Sequence, residues 1–237
     1  VIDTDEKSKA LLEALEVANK ARKLYKADVT GKSLLTAVSF VTGILLSIFG
    51  AIYVVDQKDG NFTVDVAEVN PYVSISLSKT SDFADPSTHI SFNPQAKLNN
   101  ISVNDIPADV NEYEGDHSGD DYLAYSFFIK SVGTKTAEIT AEIDITEVVK
   151  EADEAMRVML YDDGIQGLYA KRAEDGNEEP GTIAFVDSTK VYSATYDLAP
   201  NEMKKYTIVI WLEGDDPECV NKIMGGFVQL KMNFSAK

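Results

Sequence analysis

The chain has 237 residues, with 39 acidic against 22 basic side chains and a formal net charge of −17. That balance repels nucleic acid and anionic lipid, so no nucleic-acid partner is expected. A single cysteine, Cys219, excludes an intrachain disulfide.

Residues 1–32 carry seven Lys/Arg and six Asp/Glu, so residues 33–237 carry a net −18. Asp3 and Glu6 are spaced as a capping pair, and Leu11, Leu15, Ala18, Ala21 and Tyr25 fall on one helical face. The spacing predicts an amphipathic, cytoplasmic helical tail over 1–32.

Residues 33–55, SLLTAVSFVTGILLSIFGAIYVV, contain no charge. At about 1.5 Å per residue such a helix spans a bilayer core of roughly 30 Å. Lys20, Arg22, Lys23, Lys26 and Lys32 precede it and Asp56 follows it, which orients the N-terminus inside and the remainder outside. Two readings stand. One is a single-pass anchor in the cell membrane. The other is a signal removed on secretion to the surface, although a cut after Ala51 puts Phe49 at the position that favours a small residue. Ser39, Gly43, Ser47 and Ala51 recur at every fourth position, a stripe suited to close packing in helix-paired dimers.

From Asn61 the apolar period changes to two. NFTVDVAEV (61–69), PYVSISLS (71–78), HISFN (89–93), LNNISV (98–103) and YLAYSFFIKS (122–131) read as strands. TAEITAEIDI (136–145) alternates cleanly, and Gly133 before it predicts a hairpin with 122–131. Residues 145–156 read as a short crossover helix. AMRVMLYDD, GLYAKRA, TIAFVDS, KVYSATYDL, KKYTIVIWLEG and GGFVQLKMNFS add six strands, with one helical turn at 216–226 capped by Gly225. The fold class expected for 56–237 is therefore mainly β, an antiparallel, jelly-roll-like β-sandwich. The acidic, glycine-containing segments 108–121 and 172–181 are expected to be mobile loops.

Catalytic motifs are missing. His89 and His117 are the two histidines, neither in an HExxH stretch, and there is no GxSxG or P-loop. His89 reads as structural, and Trp211, alternating with Val209, as part of a strand face. No catalytic residue and no cofactor is predicted. Hard cations want clustered carboxylate oxygens, so Asp116, Asp120 and Asp121 read as a calcium site, and the acidic run EGDDPE (213–218) is a second stretch open to the same reading.

The tail VIWLEGDDPECVNKIMGGFVQLKMNFSA resembles the C-terminal stretch of a group of Gram-positive surface proteins related to camelysin and the TasA-like secreted proteins. The matching residues are Trp211, Glu213, Gly214, Asp216 and Cys219. Residues 125–145 resemble the middle of the same group. The resemblance implies a jelly-roll-like β-sandwich that is exported and displayed at the surface or polymerised into extracellular-matrix (biofilm) fibres, with a strand donated from one subunit to the next. NFTVDVAEV (61–69) is then the natural donor. The expected function is that of a non-enzymatic surface or matrix protein, with a membrane-anchored binding or adhesion module as the alternative and a secreted hydrolase as a third reading.

Overall fold

A computed structural model describes residue 9 and residues 12–20, 62–67, 72–92 and 98–237. The chain divides into one unit over Val1–Lys58 and a second over Asp59–Lys237. In the first, residues 12–20 are helical, with Leu12, Leu15 and Val17 exposed. The apolar segment 33–55 with its stripe Ser39, Gly43, Ser47 and Ala51 lies outside the described residues. Among those that are described, no helix is long and apolar enough to cross a membrane.

The second unit is mainly β. Its strands are β1 (Phe62–Val66), β2 (Ile75–Ser78), β3 (His89–Phe92), β4 (Asn100–Ile101), β5 (Gly115–Asp116), β6 (Leu123–Ser131) and β7 (Ala137–Val149). There follow β8 (Met156–Asp162), β9 (Ile165–Ala170), β10 (Ile183–Ala184), β11 (Lys190–Leu198), β12 (Met203–Glu213) and β13 (Phe227–Ala236). One sheet has the order β11-β7-β13-β1-β3. The other runs β10-β9-β8-β12-β6-β2, with β4 added to β12 and β5 to β6.

Alternation explains how the sheets meet. In β7 the buried positions Ala137, Ile139, Ala141 and Ile143 alternate with half-exposed or exposed ones, so one face is apolar. Its apolar face meets the second sheet in a shared core. Phe62 and Phe92 of the first sheet pack on Tyr125 of the second at ring-centroid distances of 5.5 and 4.6 Å. Phe234 of β13 meets Phe127 and Tyr206 at 6.1 and 5.3 Å. Strands β6 and β12 are buried on both faces because segment 98–122 folds over the outside of their sheet. There Val110 closes a second small core on Ala124, Met159, Val209 and Trp211. Trp211 and Val209 thus share a strand face, as their spacing predicted.

Four expectations need correcting. The sheets are mixed, not wholly antiparallel: β1 runs parallel to β13, β4 to β12 and β10 to β9. Period-two alternation records which face is buried and is blind to strand direction. Second, β6 and β7 do not form a hairpin. They belong to different sheets, joined by an arch whose backbone N–H groups at Val132 and Gly133 donate to the Ser74 carbonyl. A Cβ at Gly133 would lie 2.6 Å from the Tyr72 carbonyl oxygen, so this glycine serves a close backbone approach. Third, residues 145–149 continue β7, and a turn follows with positive φ at Lys150 and Glu151 in place of the crossover helix. Fourth, segments 108–121 and 172–181 are packed. The first holds Val110 at 1% exposure and the second buries Glu179. The turn at 216–226 is a short 3-10 helix, Asn221–Ile223, followed by Gly225 at φ 70°.

Candidate ionic clasp at the C-terminal motif

The residues Trp211, Glu213, Gly214, Asp216 and Cys219 leave the end of β12 and turn back toward the core. Asp216 is held by the turn it makes: its backbone N–H donates to the Glu213 carbonyl at 3.2 Å, and its Oδ1 accepts from the Glu218 N–H at 2.7 Å. Its other oxygen receives Nη2 of Arg157 at 2.6 Å. Arg157 comes from β8, which pairs with β12 in a register that sets Arg157 opposite Trp211. The same Nη2 lies 3.3 Å from Glu179 of the 172–181 segment. All three side chains are buried, that of Asp216 completely.

The cluster carries more negative than positive charge. Glu179, Asp216 and Glu218 bring carboxylate oxygens within 4.8 Å of one another, and the Arg157 guanidinium reaches the first two. Burial, then the charge of Asp216, push the Glu179 carboxyl above its ordinary value, against the pull of Arg157. Glu218 accepts from the Glu174 N–H at 2.7 Å, while its Oε2 is buried and has no hydrogen-bond partner among the described residues. These three are the residues that could hold a metal ion among those described. Arg157 supplies a fixed cation at the same point, so the arrangement works as an ionic clasp joining β8, the 172–181 segment and the turn after β12.

Glu213 makes a second tie. Its Oε2 accepts from Trp211 Nε1 and from the Val103 N–H, each at 3.2 Å. Val103 opens a short 3-10 turn capped reciprocally by Ser102 and Asp105. Glu213 therefore pins segment 98–122 to the strand it covers. Cys219 is half-buried against the main core. Burial raises its thiol pKa, and the charges of Asp216 and Glu213 raise it further, which disfavours a reactive thiolate.

Among the described residues, Asp116, Asp120 and Asp121 do not form a group with carboxylate oxygens all within 4.8 Å of one another. Asp116 lies in β5 and accepts from the Ser118 N–H and hydroxyl at 3.2 and 2.9 Å. Asp121 accepts from the Asn99 amide, and Asp120 is exposed. His89, on β3, contacts Asp65 of β1 at 2.6 Å, and Lys231 of β13 reaches the other Asp65 oxygen at 2.9 Å. Sequence reasoning singled out Asp216 and Glu213 as motif residues but missed Arg157 and Glu179. Arg157 sits amid apolar neighbours in AMRVML, and a lone charge inside a strand is the available signal for a buried partner. Nothing local marks Glu179 among the acids of its segment.

No family model and no curated protein matches the chain. Solved structures with a likeness include a β-glucosidase from Kluyveromyces marxianus, at 10% identity and a TM-score of 0.24, covering 67% of this chain and 17% of the enzyme. The same enzyme in complex with glucose gives 10% identity and a TM-score of 0.21, covering 67% and 15%. Likeness at that level carries no argument about fold or activity.

Proposed function

We propose that the protein is a non-enzymatic, surface-displayed or matrix β-sandwich subunit that associates by donating β1 from one copy to the next. The observation that supports this reading is the place of β1. Among the described residues it is the first strand after the apolar segment, yet it lies inside its sheet, parallel to β13 on one side and antiparallel to β3 on the other. Phe62 and Val64 are fully buried in it. On its outer face Asp65 is paired to both neighbours, His89 and Lys231, which fixes the register of whatever strand occupies the slot. A strand of this kind reaches its slot from its own chain or from another with the same hydrogen bonds and the same buried rings, which is the basis of strand complementation.

The test uses two differently tagged full-length chains and a variant lacking residues 61–69. Wild-type copies are expected to co-purify as assemblies visible by electron microscopy. The deletion variant should fail to propagate them and should bind a labelled peptide of residues 61–69 in trans. Assembly undiminished by the deletion would show that β1 is not the donor. A second reading, a membrane-held binding module, is favoured by a ligand-sized dish on the outside of the second sheet.

A further inference from the structure

Segment 98–122 builds a dish of about 250 Å³ lined by Pro107, Asp109, Val110, Tyr113, His117 and Tyr122. We infer that this dish binds an organic ammonium group of the trimethylammonium type. The inference does not depend on strand donation.

The walls are aromatic and preset. Tyr113 is 50% exposed, and its hydroxyl donates to Asp109 Oδ2 at 2.7 Å, which holds ring and carboxylate side by side. The His117 ring stands 5.7 Å from the Tyr113 ring, tilted by 35°. Tyr122 completes the set from the base, where it packs against the small core around Trp211. Gly119 makes room for it: a Cβ there would lie 2.5 Å from the Tyr122 ring. Because Val110 is anchored in the same small core, the dish exists before any ligand arrives.

Charge selects the ligand class. Residues 108–121 contain Asp109, Glu112, Glu114, Asp116, Asp120 and Asp121 and no Lys or Arg. The nearby ammonium of Lys205 donates to the Asn111 carbonyl and keeps its charge, which the carboxylates of Glu114 and Glu112 offset. Burial lowers the His117 pKa, and Lys205 opposes its protonation while the Gly115 and Val110 carbonyls and Asp116 favour it, with the neutral ring favoured overall. Neutral aromatic faces beside a carboxylate are the surroundings that stabilise an alkylated cation, through the ring quadrupole and a counter-charge together. A neutral sugar would also stack on the tyrosines, but it would gain nothing from the surrounding carboxylates.

The full-length chain, ¹³C-labelled in its tyrosine rings, is titrated in a polyoxyethylene detergent that carries neither ammonium nor sugar. Tetramethylammonium chloride and choline chloride are the probes. Sodium chloride at equal ionic strength and methyl β-glucopyranoside are the comparisons. Saturable shifts of the Tyr113 and Tyr122 ring signals with both ammonium probes are expected. Asp109→Asn, and Tyr113→Leu read at the Tyr122 ring, should each weaken the binding by about five- to tenfold while the other tyrosine signals stay in place. Gly119→Ala, which displaces the Tyr122 ring without removing an aromatic or a charge, should weaken binding too. Shifts that do not saturate, shifts matched by sodium chloride, saturation by the glucoside alone, or ammonium binding untouched by all three substitutions would each overturn the assignment.

Discussion

Replacing Arg157 by Met tests the ionic clasp most directly, because Met keeps an unbranched apolar stem in the place of the Arg stem and removes the charged head. The change leaves Asp216, whose side chain is fully buried, and Glu179, whose side chain is 7% exposed, with no cation between them. Removing one partner of a buried pair costs about 3–5 kcal/mol, since the remaining charge stays desolvated. In a domain of this size each kcal/mol corresponds to roughly 2–4 °C, so the melting temperature at pH 7 should fall by roughly 6–20 °C. The pH dependence carries a second signature. The Glu179 carboxyl already sits above its ordinary value of 4.5 in the folded chain, from burial and from Asp216. A raised pKa means that the folded state holds the proton more tightly than the unfolded one. The contribution is therefore complete below the unfolded pKa and is lost as pH rises through the folded one. Without Arg157 nothing opposes that rise, so the deficit of the variant should shrink as pH falls from 7 toward 4.5. Thermal unfolding followed by circular dichroism at both pH values measures it. Arg157→Met combined with Asp216→Leu should recover part of the loss, because a buried pair exchanged as a whole for apolar groups is far less costly than a pair broken. A deficit below about 1 kcal/mol at pH 7, or equal deficits at the two pH values, would refute the clasp.

Phe62→Ala should destabilise the domain by about 3–5 kcal/mol in urea unfolding, because a fully buried ring stacked on Tyr125 and Phe92 is removed from the slot of β1. Asp65→Asn should cost only about 0.5–1 kcal/mol, since its ion pairs are partly exposed and screened. Burial raises the Asp65 carboxyl pKa, but bonds from Lys231 and His89 outweigh it and lower the net value. Its contribution is thus present above the ordinary carboxylate pKa and is lost as pH falls through the lowered one, so wild type and variant should converge in acid-unfolding curves. Gly226→Ala should lower stability by about 1–3 kcal/mol, because its Cβ would lie 2.5 Å from the Val149 carbonyl oxygen. Gly214→Ala, whose nearest neighbour would be 3.6 Å away, should melt within a degree or two of wild type.

The strands were legible and their partners were not, for one reason. Alternation in AEITAEIDI states that one face is buried, and it reads the same whether the next strand lies beside it in one sheet or across the core in another. The arch at Gly133 therefore reads along the chain as a hairpin. A hairpin with a local signal stood elsewhere: Asp163 and Gly164, at φ 51° and 86°, join β8 to β9 through the tight turn that an Asp-Gly pair favours. The buried character of YLAYSFFIKS and YTIVIWLE had a non-local cause as well, since only a cover over the outer face lets Ala124, Val209 and Trp211 be apolar. That cover is segment 98–122, in which the acidic stretch 108–121 reads along the chain as a mobile loop. Its apolar residues Ile101, Val103, Ile106 and Val110 are spent on the cover, and the charges of 108–121 lie mostly outside. The motif WLEGDDPEC shows the same division. Its residues could be picked out along the chain, but its physical content lies in contacts with Arg157, Glu179 and Val103, which no spacing within the motif encodes. The motif is the point where β12 is tied at once to its neighbouring strand, to the cover and to the 172–181 segment. Substitutions of Trp211, Glu213 or Asp216, which make those ties, should therefore act on the whole face of the second sheet before they act on any local chemistry.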